Sequence, residues 1–171
     1  KNSELLMSDL VLESLISTGV GYEIIDCDPD LADTASFCEH YGYQIEESVN
    51  AILVVGKSEP KKYAVCLALA STRIDVNKKV KKKLEVRKVS FASAEEAMQI
   101  TSQTLGGITP FGLPKTLPLW IDSYVMECDE IIVGGGSRDR KIYLPPTALT
   151  MLPNSEVVEG LAKRHSRSVK E

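Results

Sequence analysis

Val49-Asn50-Ala51-Ile52-Leu53-Val54-Val55 and Tyr63-Ala64-Val65-Cys66-Leu67-Ala68-Leu69-Ala70 are the two runs on which the fold turns. Each has the length of a strand, and neither alternates apolar with polar residues as a half-exposed strand would. The segment between them, Gly56 to Lys62, carries Pro60 with Lys57, Lys61 and Lys62. A proline and clustered charge end a ladder and face water, so the two runs read as an antiparallel hairpin. Strands apolar on both faces need cover on both faces. The hairpin therefore predicts a central sheet with helices packed on either side.

The flanking sequence supplies those helices. Leu5, Leu6, Leu10, Leu12, Leu15 and Ile16 fit an amphipathic helix ending at Gly19, and Tyr22 to Asp26 reads as a strand. Asp28-Pro29-Asp30 is a turn, and Asp33-Thr34 caps a helix that ends at Gly42 and carries His40 on its surface. Asp75 caps a helix from Val76 to Leu84, with Val76, Val80 and Leu84 as a narrow apolar stripe. Val86 to Phe91 reads as a strand, and Ser93-Ala94-Glu95-Glu96 is a capping box opening the helix Ala94 to Gln103. Leu119 to Asp122 and Glu130 to Val133 are strands, and Gly134-Gly135-Gly136-Ser137 turns the second toward Lys141 to Leu144. Thr147 to Leu152 is a short helix. The expected fold class is α+β (mixed α/β): a single compact domain over 1–160, built on one curved, mixed, mostly antiparallel sheet with flanking helices. Residues 161–171 read as a C-terminal tail.

At 171 residues, 43% hydrophobic and 26% charged, the chain has the profile of a soluble globular protein large enough for a real core. No apolar run approaches the roughly 20 residues of a membrane span. Ser8-Asp9 and Glu13 interrupt the apolar residues near the start, so no signal peptide is read there. Cys27, Cys38, Cys66 and Cys128 form no C-x-x-C pair, and His40 and His165 are far apart, which disfavours a zinc site. Reduced thiols in a cytoplasmic protein, with no metal and no cofactor, are the expectation. The net charge of −4 hides an asymmetry: Lys57 to Lys88 carries +8 and the remainder −12. A basic segment on an acidic protein is either a footprint for a polyanion or a solvated helix face.

Leu105-Gly106-Gly107-Ile108-Thr109-Pro110-Phe111-Gly112-Leu113-Pro114 is too rich in glycine and proline for a helix or a central strand. It is either an ordered connection or a rim whose backbone comes close to a ligand. Gly106, Gly107 and the Gly134–Gly136 turn would offer unshielded N–H groups to an oxygen gaining negative charge. Donors of that kind can stabilise such an oxygen without a triad or a metal. Purely structural uses are equally concrete: Asp122 as a turn residue, Thr109 bonded to its own loop, Trp120 in the core.

Five stretches in order carry a resemblance: Ala70-Ser71-Thr72-Arg73-Ile74-Asp75-Val76-Asn77, Val86 to Ala92, Gly106 to Pro114, Leu119 to Asp122, and Ile132 to Arg138. Over roughly residues 10 to 152 the chain resembles the YbaK family, the editing-domain superfamily also found inserted in or associated with prolyl-tRNA synthetases. The resemblance implies a trans-acting aminoacyl-tRNA deacylase, an enzyme hydrolysing the ester of a mischarged tRNA that carries a small amino acid. Its partners would be the aminoacylated acceptor end of tRNA and a synthetase. The implied catalytic residues are Asn50, Gly106 and Gly107. Ile108, Thr109, Pro110, Phe111, Asp122, Gly134, Gly135, Gly136 and Ser137 would bind the aminoacyl group, and Arg73, Lys78, Lys79, Lys81 and Lys82 the tRNA. A second site that admits only small residues compensates for a synthetase pocket that distinguishes one methylene by only about 1–3 kcal/mol. One departure matters. Many members place a lysine where this strand has Asn50, and asparagine supplies no charge. Either Asn50 orients substrate in a modified site, or the domain is a weakened or inactive tRNA-binding module, or Lys57 takes the role. A small-molecule or protein-partner domain that reuses the pocket is the remaining alternative.

Overall fold

The computed structural model describes residues 9–103 and 107–164. Its centre is the predicted hairpin: β2 (Val49–Gly56) and β3 (Lys62–Leu69) pair antiparallel from Val49↔Leu69 to Gly56↔Lys62. Around it stand β5 (Val89–Phe91), antiparallel to β2, and β6 (Leu119–Asp122), parallel to β3 and to β9 (Ser155–Val158). The resulting sheet has the order β5-β2-β3-β6-β9.

Alternation along β2 and β3 sends side chains to two separate cores. Val49, Leu53, Val65, Leu67 and Leu69 join Leu119, Ile121 and Phe111 on one face. Val54, Ala64, Cys66 and Ala68 join Trp120, Val80 and Leu84 on the other. This double burial is what the unbroken apolar runs required. Cys66 has no exposed surface, and burial pushes its thiol up to about 12, so it behaves as a core residue.

The expected single curved sheet is in fact divided. β1 (Glu23–Asp26), β8 (Arg140–Leu144) and β7 (Ile131–Gly134) form a second, antiparallel sheet of order β1-β8-β7. It meets the first through a parallel bridge, Ser48↔Ile132. A two-stranded ribbon joins β4 (Thr72–Ile74) to β10 (Ala162–Arg164). Residues read as tail are therefore paired as far as Arg164, with Leu161 fully buried; 165–171 lie outside the described residues. β9 has no counterpart among the elements expected from sequence.

The helices are α1 (Leu10–Thr18), α2 (Thr34–Tyr41), α3 (Lys81–Leu84), α4 (Ala94–Thr101) and α5 (Thr147–Thr150). The expected helix Val76–Leu84 is a π-helical turn over Val76–Val80 that runs into α3, capped by Asp75 through the Lys78 N–H at 3.2 Å. Ser93 caps α4 through the Glu96 N–H at 3.1 Å, the serine half of the expected capping box, while the Glu96 carboxylate accepts from Tyr63 Oη at 2.6 Å. No helix among the described residues is long and apolar enough to cross a membrane.

Candidate active site

The two sheets diverge beyond the Ser48↔Ile132 bridge, and the space left at that seam is a cavity of about 220 Å³. β2 contributes Val49, Asn50, Ala51 and Ile52; β7 contributes Ile132, Val133 and Gly134. Lys141 enters from β8, Ile108 from the Gly/Pro loop, and Ala32, Asp33, Thr34 and Phe37 from the segment opening α2. At a seam the ladder stops, so backbone and side chains face a space that hydrogen bonds no longer close.

The Gly/Pro loop is held against the second sheet backbone to backbone. Gly136 N–H donates to Gly107 C=O at 2.6 Å. A Cβ on Gly107 would stand 2.8 Å from the Ser137 nitrogen, and one on Gly134 would stand 2.9 Å from Gly107 C and O. Neither position has room for a side chain. Gln103, which was not singled out in the sequence, braces the loop from below. Its Oε1 accepts from Thr109 N–H at 2.8 Å and its Nε2 donates to Phe111 C=O at 3.1 Å. A glutamine just past a helix and before a glycine-rich stretch was the available signal.

The structure brings together only part of the expected site. Asn50, Ile108 and Gly134 line the seam cavity. Asn50 Oδ1 accepts from Thr34 Oγ1 at 2.8 Å, tying β2 to α2 and leaving the amide N–H₂ and a second oxygen lone pair for a ligand. Gly107 is buried beneath the loop, and Gly106 lies outside the described residues. Thr109 and Phe111 are fully buried, Phe111 within the core, and neither lines the seam cavity. Pro110, Gly136 and Ser137 line a different cleft of about 790 Å³, between the loop and α1. Gly136 N–H is already engaged by Gly107 and is no donor for substrate. Gly135 C=O accepts from Arg140 Nε at 2.7 Å, which fixes the turn.

Asp122 is not brought to the cavity. It has no exposed surface, and its carboxylate accepts from Ala162 N–H at 2.8 Å and Tyr124 N–H at 3.1 Å. It brackets β6 to the start of β10, the turn use of a strand-end aspartate. Burial raises its pKa against the pull of those backbone N–H groups.

Lys141 went unread in the sequence, where it looked like one more polar residue on a short strand. It is 8% exposed and stands in register with Gly134 across β7–β8. Its Nζ lies 5.5 Å from the centroid of the Phe37 ring, whose face attracts a cation. Burial pushes its pKa down and Arg138 adds to this, while Cys27, Asp33 and Cys38 oppose it. The available signal was the pattern of β8: Lys141 and Tyr143 share a face with Ile25 and Phe37, an aromatic-lined side on which an exposed lysine has no place. Arg138 fastens the cavity's roof, donating to Pro29 C=O at 2.8 Å and 3.1 Å and to Asp33 Oδ1 at 3.3 Å.

The basic segment forms a second feature. Lys57, Lys78, Lys81, Lys82 and Arg87 line an open cleft of about 640 Å³ with Glu85. Arg73 is exposed on β4, and Lys79 lies beside Gly160. Lys83 is used within the fold, paired with Glu156 at 2.8 Å and lying over Trp120. Asn50, Ile52 and Val54 share one face of β2. Val54 and Ile52 pack into the cluster that holds Val80 and Leu84 of the lysine-rich turn. Asn50 and the lysines therefore lie on the same side of the sheet.

Comparison with known proteins bears on the fold and the family. Two solved structures share the fold. One is described as "Crystal structure of a putative trans-editing enzyme for prolyl tRNA synthetase", with TM-score 0.76, 20% identity, and 91% of this chain and 95% of that one covered. The other, of a hypothetical protein, has TM-score 0.79, 19% identity, and coverage of 90% and 99%. A protein of Enterococcus faecalis, described as "Putative Cys-tRNA(Pro)/Cys-tRNA(Cys) deacylase EbsC", is 26% identical over 135 residues, which is 78% of this chain and 80% of that protein. The model of the aminoacyl-tRNA editing domain matches residues 28–152, a span that takes in α2, the hairpin, the lysine-rich turn, the Gly/Pro loop and every wall of the seam cavity. The chain belongs to the aminoacyl-tRNA editing domain family.

Proposed function

We propose that this chain is a trans-acting deacylase that hydrolyses the ester of a mischarged tRNA carrying a small amino acid. The observation that carries the reading is the size and place of the seam cavity. At about 220 Å³ it falls below the roughly 300–1,000 Å³ of ordinary small-molecule pockets, which suits a small aminoacyl group and excludes a large one. Its apolar wall, Ile52, Ile108, Ile132 and Val133, suits a short side chain. Its polar groups, Asn50 and Lys141, suit an ester and its ribose.

The basic cleft supports an RNA substrate over a free aminoacyl ester. Asn50 and Lys57 are seven positions apart along β2 and its end, about 23 Å at roughly 3.3 Å per strand residue. That is a span of several nucleotides of one RNA strand. A terminal ribose at the cavity would thus place phosphates further along the strand over Lys57, Lys78, Lys81 and Lys82. Hydrolysis needs a water held against the carbonyl carbon and positive groups facing the carbonyl oxygen, and the vicinal ribose hydroxyl lies close enough to relay a proton.

One observation favours the alternative of a tRNA-binding module with little or no turnover: the Asn50 oxygen is bonded to Thr34, which makes Asn50 as much a brace as a substrate ligand. A panel of tRNAs charged with alanine, serine, cysteine, proline and leucine separates the two. The Enterococcus relative's description makes the cysteinyl ester an early member of that panel. The deacylase reading expects hydrolysis above the buffer rate for small residues and none for leucine. Binding of every tRNA with hydrolysis of none establishes the alternative.

A further inference from the structure

Among the groups that line the cavity, Lys141 is the one whose burial runs against its chemistry. A lysine ordinarily keeps its ammonium in water by stretching its stem outward. Here all but 8% of the residue is buried, at the back of the cavity that also holds Asn50, Ile108 and Gly134. The aromatic face of Phe37 steadies the ammonium at 5.5 Å. The carboxylate of the lining, Asp33, is exposed and bonded to Arg138 at 3.3 Å. The thiols of Cys27 and Cys38 stand near the lysine as well. The inner wall of the cavity therefore carries a buried positive charge, the setting in which a fixed charge acts most strongly on charge that develops beside it.

We propose that Lys141 is a catalytic residue: its ammonium receives the carbonyl oxygen of the scissile ester as that oxygen becomes an oxyanion. The proposal rests on the deacylase reading. A water oxygen bonds to the ester carbon, and the carbonyl π pair moves onto oxygen facing Lys141 Nζ. The carbonyl then re-forms, the bond from carbon to the ribose oxygen breaks, and that oxygen keeps the electron pair. It takes up a proton supplied by the attacking water, while the other water proton leaves to solvent from the carboxylic acid product. Lys141 keeps its own proton throughout. Because a neutral ester asks little of an ammonium and an oxyanion asks much, the lysine's effect falls on turnover more than on binding.

The test is Lys141→Met, an apolar replacement of similar length, assayed on the charged tRNA that the wild type hydrolyses fastest. The expected result is a fall in kcat on the order of 10²-fold or more with KM changed by less than about 3-fold. Lys141→Ala should recover part of its rate with added methylammonium, in a saturable manner. A second arm needs no turnover. It compares the affinities of two aminoacyl-adenosine analogues, one with a neutral amide at the ester position and one with an anionic tetrahedral phosphonate. Lys141→Met should weaken the phosphonate by roughly 30-fold or more and leave the amide within about 3-fold. Equal loss of both analogues, loss of neither, or a rise in KM at constant kcat overturns the assignment. A wild type that hydrolyses no charged tRNA yet shows the analogue difference refutes the deacylase reading and leaves the oxyanion-binding role of Lys141 standing. A wild type that neither hydrolyses nor prefers the phosphonate refutes both.

Discussion

Replacing Gly134 by alanine tests how the Gly/Pro loop is held. The Gly134 backbone adopts a conformation open to any residue, so the whole effect is steric. The new Cβ would stand 2.9 Å from both the carbonyl carbon and oxygen of Gly107, and closer still to Ile108 C=O. Ordinary contacts between such atoms are about 3.5–4.0 Å, so one backbone must retreat by roughly 0.6 Å or more. Both partners are backbone, braced by Gln103 and by the Gly136–Gly107 hydrogen bond, so little can yield without breaking something. Overpacking of this kind costs about 1–3 kcal/mol. In a chain of this length that lowers Tm by about 2–12 °C. Retreat of the loop also moves Ile108 off the cavity wall, and a displacement near 1 Å in a positioning residue costs on the order of 10²-fold in rate. Thermal melts and single-turnover deacylation, with Gly21→Ala as a control placed in open space, measure both. If Gly134→Ala melts and turns over like the control, the loop is not packed as described and its role in shaping the cavity falls.

Three further outcomes follow from other parts of the molecule. Changing Lys78, Lys81 and Lys82 together to Gln should weaken tRNA binding and flatten its salt dependence by about 0.7–0.9 log units per decade of salt for each phosphate no longer neutralised; filter binding across a salt series that shows an unchanged slope places the RNA elsewhere. Glu85 ends α3 with φ 58, a left-handed conformation that costs a non-glycine residue roughly 1 kcal/mol, and its carboxylate sits in the basic cleft; Glu85→Gly should raise or hold Tm and tighten tRNA binding, and a lower Tm with weaker binding refutes both attributions. Asp122→Asn turns an N–H₂ toward a backbone N–H and should cost about 1–3 kcal/mol at neutral pH. Because burial raises the Asp122 pKa above its ordinary 3.8, the folded state holds that proton longer than the unfolded chain. The group's contribution therefore declines as pH rises from that value through the native one and is flat beyond. Melts of the variant across acid pH should lack that decline, and an identical profile would show that Asp122 is not the group responsible.

What the sequence disclosed and what it hid divide along a physical line. The hairpin was legible because two strand-length apolar runs separated by Pro60 and lysines have few other ways to bury themselves. The caps at Asp75 and Ser93 were legible because capping is settled within four residues. The ribbon between β4 and β10 was not, since Ile74 and Ala162 meet across 88 positions and nothing local marks Ala162-Lys163-Arg164 as a strand. The division into two sheets was equally hidden, because strands near a seam read the same whether or not their ladder continues. Asp122 looked like a site residue for the reason many buried aspartates do: its oxygens need donors, and only the folded chain reveals that the donors are backbone N–H groups of Ala162 and Tyr124.

The seam also accounts for why the recognisable loop and the candidate chemistry coincide only in part. A stiff loop laid across the junction of two sheets has two sides. Its Ile108 side closes the cavity that β2, β7 and β8 leave open, while its Pro110 side, with Gly136 and Ser137, rests over the cleft beside α1. Glycine and proline therefore mark where the loop must pass close to the second sheet, and they do not themselves mark which groups act on a ligand. The groups that line the cavity come from strands that end or turn at the junction: Asn50 near the start of β2, Gly134 at the end of β7 and Lys141 near the start of β8. Lys141 is buried where the segment holding Phe37 packs over β8, so a lysine that reads as solvent-facing becomes a buried positive charge in the cavity wall. That burial is why the catalytic role is proposed for the lysine on β8 and not for the glycines of the loop.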